Sequence, residues 1–367
     1  MRAAASARVH TGALRHNLSE IRRRAPGYRV MAVIKSNGYG HGLVTAARAF
    51  DAADAYAVAR MEEAQLLRNA GVEKPLVLLE GLFDRDDLLL AGSQRFEVVV
   101  HCAEQVRMLA ELDTALPLVV WLKVDTGMHR LGLAPRDVAE AVRRLRDADA
   151  VGELRLMTHF AQAERLEDGT TAEQIGRLCH VAGHFDGAVT LANSAAILGW
   201  KRSLDGLTAQ FPELGPPWIR PGISLYGISP FPEGSGADLG LRPAMEFLST
   251  LIAVKPVAAG ERVGYGGRYT ATRDMRLGIA AVGYGDGYPW RMPDGAPVLV
   301  DGRRAPIAGR VSMDMITIDV TEHPAAVGSE VVLWGRGLPV EEVARAAGTI
   351  PYELVCRVTE RVIKVAE

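Results

Sequence analysis

A lysine followed by a small, polar and glycine-rich segment is the most reactive combination in the sequence. Lys35 closes the apolar run Tyr28–Lys35, and the next residues read Ser-Asn-Gly-Tyr-Gly-His-Gly. Burial disfavours the charged form of a lysine, and a neutral amine can form a Schiff base with an aldehyde. The glycines let the backbone approach a ligand, and the Tyr39 hydroxyl can donate to a phosphate. Lys35 is therefore the first candidate catalytic residue.

Other polar side chains and glycines follow or close later apolar runs. In chain order they are Asp125, Arg130, His159, Asn193, Ser194, Arg220, Gly222 and Tyr226. The carboxyl ends of parallel barrel strands meet at one rim, and the loops after the last two strands often hold a phosphate. If the runs are such strands, we expect several kinds of polar chemistry at one site.

The elements that must position these residues are eight apolar runs that alternate with amphipathic segments. The runs are Tyr28–Lys35, Ala55–Ala59, Pro75–Glu80, Phe96–His101, Leu118–Asp125, Glu153–Thr158, Ala188–Ala192 and Trp218–Tyr226. Helical spacing lies between them, as in Leu14–Arg24 and Thr171–Phe185. Continuous apolar strands alternating with helices are typical of buried parallel βαβ units. Eight units predict a closed (β/α)₈ barrel in the N-terminal part of the chain.

The pattern changes after about residue 240. Short apolar runs separated by Gly, Pro and Asp predict strands at Met245–Val257, Arg276–Val282, Pro297–Arg303, Val311–Val320 and Glu330–Trp334. One helix is predicted near Val340–Ala347, and the linker at Pro230–Gly240. We therefore predict a barrel over residues 10–235 and a β-rich domain over residues 236–367, against which residues 1–9 pack.

The lysine segment and later motifs resemble the alanine racemases. Their motif Lys-x-Asn-x-Tyr-Gly-His-Gly matches here, although Ser36 and Gly38 stand where many relatives carry alanine. His129 also differs from many members. Further matching segments, in the same order across nearly the whole chain, are Val124–Gly132, Thr158–Phe160, Asn193–Ala195, Arg220–Ser224, Gly264–Gly266, Gly309–Asp314 and Pro351–Glu353.

The resemblance implies a cofactor, a reaction and a partner. Lys35 would bind pyridoxal 5'-phosphate (PLP) and act as a base on one face of alanine. Tyr265 of the partner subunit in a homodimer would act on the other face. Interconversion of L- and D-alanine needs such groups on both sides of the α-carbon. From the residue alone, a structural tyrosine in a glycine-rich turn is the more common interpretation.

The resemblance also assigns roles around the cofactor. Arg220 would face the pyridine nitrogen, and because arginine can only donate, that nitrogen would stay unprotonated. His159 would support the polar network, although a histidine after a strand is more often structural. The expected phosphate-binding residues are Tyr39, Ser194, Gly222, Ile223 and Tyr352.

The remaining implied residues bind substrate. Arg130 would lie near the substrate carboxylate, Met313 of the partner would contact it through its backbone, and Tyr284 would form part of the entrance. Lys123 is on the same strand face as Asp125 and in relatives is often carbamylated. An ordinary lysine in the barrel interior is the alternative, because sequence does not show modification.

Other activities remain open from the residues. A racemase for serine or a broader amino-acid set would keep the same chemistry. A decarboxylase of basic amino acids fits Arg220 poorly. A PLP carrier without enzymatic activity would resemble the barrel alone, and a cofactor-free Schiff-base aldolase would not need Tyr39, Ser194 and Tyr352 at a phosphate. Alanine racemisation is the preferred prediction.

Composition and charge narrow the class of protein. The 367 residues carry a formal net charge of −2, with 48% hydrophobic and 23% charged residues. This balance is ordinary for a globular protein and gives no electrostatic basis for binding nucleic acid or a membrane surface. No apolar run is long enough to span a bilayer.

The cysteines and the N-terminal segment predict the compartment. Cys102, Cys179 and Cys356 are odd in number and far apart, which argues against a disulfide framework and for a reducing compartment. The segment from Met1 to Asn17 lacks the apolar core of a signal peptide. We expect a cytoplasmic protein without a metal site.

Overall fold

Eight parallel strands form a closed barrel in the N-terminal part of the chain. The computed structural model describes residues 5–183, 185–200 and 217–367. After β1 (Ala5–Val9), which lies outside the barrel, come β2 (Arg29–Val33), β3 (Ala55–Val58), β4 (Leu76–Leu78), β5 (Phe96–Val100), β6 (Leu118–Lys123), β7 (Val151–Met157), β8 (Val189–Ala192) and β9 (Trp218–Ile219). Each strand pairs with the next, and β9 pairs back with β2. The predicted barrel is confirmed.

The strand ends differ from the apolar runs in several places. The run Trp218–Tyr226 contributes only a two-residue strand, and its second part is a 3₁₀ helix, Ile223–Tyr226. Lys35 does not end a strand, because β2 stops at Val33. β6 likewise stops at Lys123, before Asp125. In each case burial continues into the loop, so an apolar run alone does not mark where strand pairing ends.

Helices connect the barrel strands and cover them. They are α1 (Thr11–Arg24), α2 (Lys35–Tyr39), α3 (Leu43–Ala49), α4 (Met61–Asn69), α5 (Arg85–Gln94), α6 (Ala103–Ala110), α7 (Val138–Arg146), α8 (Thr170–Ala182) and α9 (Ser194–Gly199). Their apolar residues recur at helical spacing. In α7, for example, Val138, Ala141 and Leu145 are buried, which presents one apolar face to the barrel.

A buried polar cluster fills part of the barrel interior. Arg155 and Glu97 form an ion pair of 3.1 Å, and Trp121 donates to the same carboxylate at 2.7 Å. The Arg155 guanidinium also lies 5.0 Å from the Trp121 ring and 5.5 Å from the Trp218 ring. Because β5, β6, β7 and β9 contribute these residues, they pack across the barrel and leave the carboxyl ends of the strands for a ligand.

The C-terminal part is rich in strands. It contains β10 (Met245–Val257), β11 (Arg262–Val263), β12 (Tyr269–Thr270), β13 (Met275–Ala280), β14 (Pro297–Val300), β15 (Arg303–Pro306), β16 (Ile316–Asp319), β17 (Glu330–Trp334) and β18 (Ile363–Ala366). The larger sheet has eight strands, with the path β15-β14-β17-β10-β1-β18 and with β13 and β16 joined through β10. β1 lies between β10 and β18, so the start of the described chain completes this sheet.

Two predicted strands need correction. Pro297–Arg303 is not one strand, because the chain turns at Asp301, where φ is +46°, and continues into β15. Val311–Val320 forms a strand only at β16, where buried Ile316 and Ile318 alternate with half-buried neighbours. Two helices, α10 (Val340–Ala347) and α11 (Pro351–Cys356), follow β17. The domain division at residues 235 and 236 stays a prediction.

A helix that crosses a bilayer must be both long and apolar. Within residues 5–183, 185–200 and 217–367, none is both long and apolar enough to cross a membrane.

Candidate active site

A cavity of about 740 Å³ lies where the barrel strands end. Most of the residues predicted from the sequence line it. They are Lys35, Tyr39, Lys123, Arg130, His159, Ser194, Arg220, Gly222, Ile223 and Tyr352. The loops after β2, β6, β7, β8 and β9 and helix α11 therefore bring together residues that are far apart in the chain.

The turn that carries Lys35 has an unusual backbone. Ser36, Asn37, Gly38 and Tyr39 have φ angles of +54°, +53°, +62° and +50°. A left-handed conformation costs about 1–2 kcal/mol for each residue with a side chain. Three such residues within a run of four persist only where the surroundings hold them, so this turn requires support from its neighbours.

Helix α11 packs directly against this turn. Gly40, with φ of +79°, lies so close that a Cβ there would overlap the carbonyl oxygen of Val355. On the other side, the Asn37 side chain accepts a 2.8 Å hydrogen bond from the backbone of Leu43. α11 also carries Tyr352, so one packing contact fixes Lys35 and Tyr352 relative to each other.

The charge on Lys35 is disfavoured by its surroundings. The side chain is half-buried, and burial lowers its pKa, with the nearby positive charge of Arg130 acting in the same direction. Glu80 and Glu63 act in the opposite direction without reversing the shift. A lowered pKa raises the fraction of neutral amine, which is the nucleophilic form.

One end of the cavity has converging hydrogen-bond donors. Ser194 Oγ accepts hydrogen bonds from the backbone N–H of Gly222 at 2.9 Å and of Ser224 at 3.3 Å, and from the Ser224 hydroxyl at 3.0 Å. With its acceptor side used in this way, Ser194 retains its own proton to donate. A Cβ on Gly222 would lie 2.7 Å from the Tyr39 hydroxyl. Backbone and phenol therefore approach closely, which suits a small anion.

Aromatic packing positions the two tyrosines of this end. The Tyr39 ring stacks on Tyr226 at a centroid distance of 4.9 Å, and lies 6.3 Å from the Tyr352 ring. Burial raises the pKa of both Tyr39 and Tyr352 well above the usual range. Both hydroxyls therefore stay protonated at neutral pH and can donate hydrogen bonds.

Arg220 is a buried cation held by neutral groups. Its Nη1 donates to the Thr190 hydroxyl at 2.6 Å, and its Nη2 donates to the carbonyl of Thr158 and to His159 Nδ1, at 3.4 Å from the latter. Burial lowers the pKa of Arg220 to about 9, so it remains charged at neutral pH. Among the residues described, no carboxylate pairs with it.

His159 is neutral in this environment. Burial, followed by the charges of Arg220 and Lys123, holds its pKa well below the usual range. Arginine can only donate, so Nδ1 must accept and the ring proton lies on Nε2. His159 can therefore present one N–H donor.

Two further cations face the same cavity. Lys123 is buried, and this burial, with the charges of Arg220 and Arg130, lowers its pKa to about 8. Arg130 is exposed at the end of a loop that Asp125 shapes by accepting hydrogen bonds from the backbone of Gly127, Met128 and His129 at 2.9–3.0 Å. The cavity is thus strongly cationic and suited to anionic ligands.

Several lining residues were not selected from the sequence. These are Glu80, Phe83, His101, Met157, Glu164 and Cys356, among others. Glu80 and His101 close the third and fourth apolar runs, so the rule that barrel sites use strand ends could have found them. Phe83 and Glu164 lie in loops that carry no comparable signal.

Three predicted residues lie outside this cavity. Tyr265, Met313 and Tyr284 belong to the β-rich part and expose 72%, 51% and 42% of their surface. Tyr284 lines a separate cavity of about 630 Å³ beside α11. The backbone N–H of Gly285 donates to the Met313 carbonyl at 2.9 Å, which keeps Met313 near Tyr284. A single chain therefore does not bring Tyr265 to Lys35.

Comparison with known proteins gives the family. The alanine racemase N-terminal domain matches residues 9–230, and the alanine racemase C-terminal domain matches residues 244–366. The chain belongs to the alanine racemase family. The alanine racemases of Aeromonas hydrophila subsp. hydrophila and Vibrio cholerae serotype O1 are each 48% identical to it over 363 and 361 residues, or 98% of this chain and 98% and 97% of theirs.

Solved alanine racemases share the architecture. The biosynthetic alanine racemase of Pseudomonas aeruginosa superposes with a TM-score of 0.92 at 44% identity, and both chains are fully covered. The alanine racemase of Acinetobacter baumannii gives a TM-score of 0.91 at 37% identity, again with full coverage. The family resemblance predicted from the motifs is confirmed.

The contact between Gly40 and α11 can be tested by substitution. Gly40→Ala should lower the free energy of unfolding by roughly 3 kcal/mol or more, because it adds overlap with Val355 to the backbone cost. Gly71→Ala is the matched control: φ there is +83°, but nothing lies within 4 Å of a Cβ. It should cost only about 1–2 kcal/mol. Equal losses in chemical unfolding would contradict the packing argument.

Proposed function

We propose that the protein interconverts L- and D-alanine, with PLP attached to Lys35. The arrangement of one cavity supports this most directly. Lys35, whose pKa is lowered, and the buried Arg220 both line it. Ser194, Gly222 and Tyr39 form a small-anion site within it. Family membership supports the same reaction.

The residues fit PLP by their donor types. The phosphate would take the Ser194 hydroxyl, the backbone N–H groups of Gly222 and Ile223, and the hydroxyls of Tyr39 and Tyr352. The Gly222 N–H donates to Ser194 Oγ in the free chain and would turn to the phosphate on binding. The donors are uncharged, and helix α9 begins at Ser194, a combination often used for phosphates. Lys35 supplies the amine for a Schiff base. Together they account for the reactive aldehyde and the phosphate of PLP.

When bound, PLP withdraws electrons from the α-carbon of an amino acid, so that its proton can be removed. Lys35 would exchange this proton on one face. The partner subunit's Tyr265 would exchange it on the other, since proton transfer on both faces is needed for inversion. The 72% exposure of Tyr265 in the single chain is consistent with a residue that acts across an interface.

Arg220 would control how strongly the ring withdraws electrons. Because its guanidinium only donates, a pyridine nitrogen that accepts from it stays unprotonated. Weaker electron withdrawal disfavours side reactions such as transamination. His159 helps to hold Arg220 through Nδ1, so its neutral state is part of this arrangement.

Substrate binding would use the cations and the partner chain. Arg130 would bind the carboxylate of alanine, together with the backbone of the partner's Met313. The partner's Tyr284 would form part of the entrance, and a narrow entrance favours a small side chain. A single methylene gives only about 1–3 kcal/mol of discrimination, so serine is the competing substrate to test.

A PLP carrier without enzymatic activity is less well supported than a racemase. A carrier without activity would need only the barrel, whereas this chain also matches the C-terminal domain of the family. The homodimer and the cytoplasmic location stay predictions.

The first experiment measures racemisation of L-alanine by the purified protein, with and without added PLP. We expect D-alanine to form, and Lys35→Ala to reduce the rate by roughly 10³-fold or more because the amine is lost. Lys74→Ala, at the opposite end of the barrel before β4, should retain the activity. Bound PLP without racemisation of alanine would favour a carrier or another amino-acid substrate.

Shared active sites can be tested by mixing two inactive variants. Lys35→Ala and Tyr265→Phe, refolded together, should recover about a quarter of the wild-type activity. Half of the dimers would be mixed, and each mixed dimer would have one site with both residues intact. Each variant refolded alone is the control. No recovery, or full activity in diluted monomers, would argue against a shared site.

Lys123 is proposed to be carbamylated, which would give the cavity an anion beside Arg130. Carbamylation needs the neutral amine, and a pKa of about 8 leaves an appreciable neutral fraction at neutral pH. Mass spectrometry should detect a carbon dioxide adduct that is lost on acidification and is absent from Lys123→Met. Lys35→Ala should keep it. An unmodified Lys123 in the wild-type protein would exclude this role.

A further inference from the structure

His41 belongs to the lysine segment but is not part of the cavity lining. Its side chain is almost fully buried, with 1% of its surface exposed. Nδ1 lies 2.8 Å from the carbonyl oxygen of Tyr39 and 3.2 Å from that of Gly38. Both partners are acceptors, so Nδ1 carries the ring proton and donates. The ring therefore binds the last carbonyl groups of the left-handed turn.

These carbonyl groups belong to the residues three and four positions after Lys35 in the chain. Gly38 and Tyr39 have φ angles of +62° and +50°, a conformation that needs outside support. The His41 ring also packs on Tyr226 at a centroid distance of 4.6 Å, and Tyr226 stacks on Tyr39. One buried ring thus contacts both the backbone and the aromatic support of the turn.

His41 also lines a small cavity together with residues of the β-rich part of the chain. A cavity of about 20 Å³ includes His41, Tyr226, Trp334 and Glu341. Among the described residues, neither His41 Nε2 nor Trp334 Nε1 has a hydrogen-bond partner, although both atoms are buried. This volume is sufficient for one water molecule.

The two nitrogens have complementary hydrogen-bonding roles. Burial lowers the pKa of His41 to about 4, so the ring is neutral at pH 7. With its proton on Nδ1, Nε2 can only accept, whereas the indole N–H of Trp334 can only donate. A water molecule that donates to the first and accepts from the second satisfies both. Ordered water is the usual partner of such buried groups.

We propose that His41 is a positioning residue for Lys35, and that a single water molecule links its Nε2 to Trp334. In this arrangement the β-rich part holds the histidine, the histidine holds the carbonyls of Gly38 and Tyr39, and the turn directs Lys35 and Tyr39 into the cavity. The effect on catalysis rests on the proposed function, because it concerns the attachment of PLP to Lys35.

Three substitutions in the full-length protein separate positioning from simple packing. His41→Asn keeps a donor near the position of Nδ1, His41→Gln moves the amide towards Nε2, and His41→Leu removes both groups. PLP is titrated into each apoenzyme to obtain Kd, and the visible absorbance of Lys35-bound PLP is followed with pH. Urea unfolding of each apoenzyme reports general loss of stability.

If His41 positions Lys35, the PLP affinity of each variant should depend on whether a donor remains near Nδ1, and not on the free energy of unfolding. His41→Asn should keep Kd within about threefold of wild type, and His41→Gln should weaken it by about tenfold or more. The pH at which the absorbance changes should shift in His41→Gln. If both variants lose stability but bind PLP with wild-type Kd and absorbance, the positioning role is wrong. This pair decides the question even if His41→Leu does not fold.

A crystal structure tests the water and is independent of PLP. We expect density within hydrogen-bonding distance of both His41 Nε2 and Trp334 Nε1, and its loss in Trp334→Phe. The Trp334 ring lies 4.6 Å from the Phe247 ring, and phenylalanine keeps an aromatic ring at this contact. A direct contact or an empty space would exclude the link. If the wild-type protein binds no PLP, the proposed function fails. The dihedral angles of the turn in His41→Asn and His41→Gln would then still decide whether His41 holds it.

Discussion

An excess of positive over negative charge at the carboxyl ends of the barrel strands is the constraint on which the site depends. Lys35, Lys123, Arg130 and Arg220 line one cavity, and none of the four forms an ion pair within the described residues. Lys123 and Arg220 are buried, and burying a cation costs free energy unless an anion neutralises it. The lowered pKa values of both lysines are a direct result. The fold therefore maintains a cationic site that the binding of anionic ligands would stabilise.

Much of the fold follows from the sequence because its signals are local. A strand buried on both faces is largely apolar, and this made the barrel runs visible, although β5 and β7 place Glu97 and Arg155 in the barrel interior. Strand ends were less certain, as the short β9 and the hairpin of β14 and β15 illustrate. The pairing of β1 with β10 and β18 could not be predicted from sequence patterns either, because nothing within Ala5–Val9 identifies partner strands more than 230 residues away.

The residue types of the site could be predicted from the sequence, but much of the site's geometry could not. Lys35 and Arg220 stand in segments whose residue types restrict the chemistry, and both line the cavity. The left-handed turn after Lys35 was not predictable, because two of its residues, Ser36 and Tyr39, rarely adopt such angles. Their conformation is imposed by α11 and by His41, which makes it a tertiary effect. The wall formed by Glu80 and His101 could have been identified from strand ends alone.

The position of β1 has a consequence for the order in which the chain folds. The backbone N–H of Thr11 donates to the Glu367 carbonyl at 2.8 Å, and that of Glu367 donates to Val9 at 2.9 Å. β1 pairs with strands more than 230 residues later in the chain, and closing such long loops is slow, so we expect this sheet to be completed late in folding.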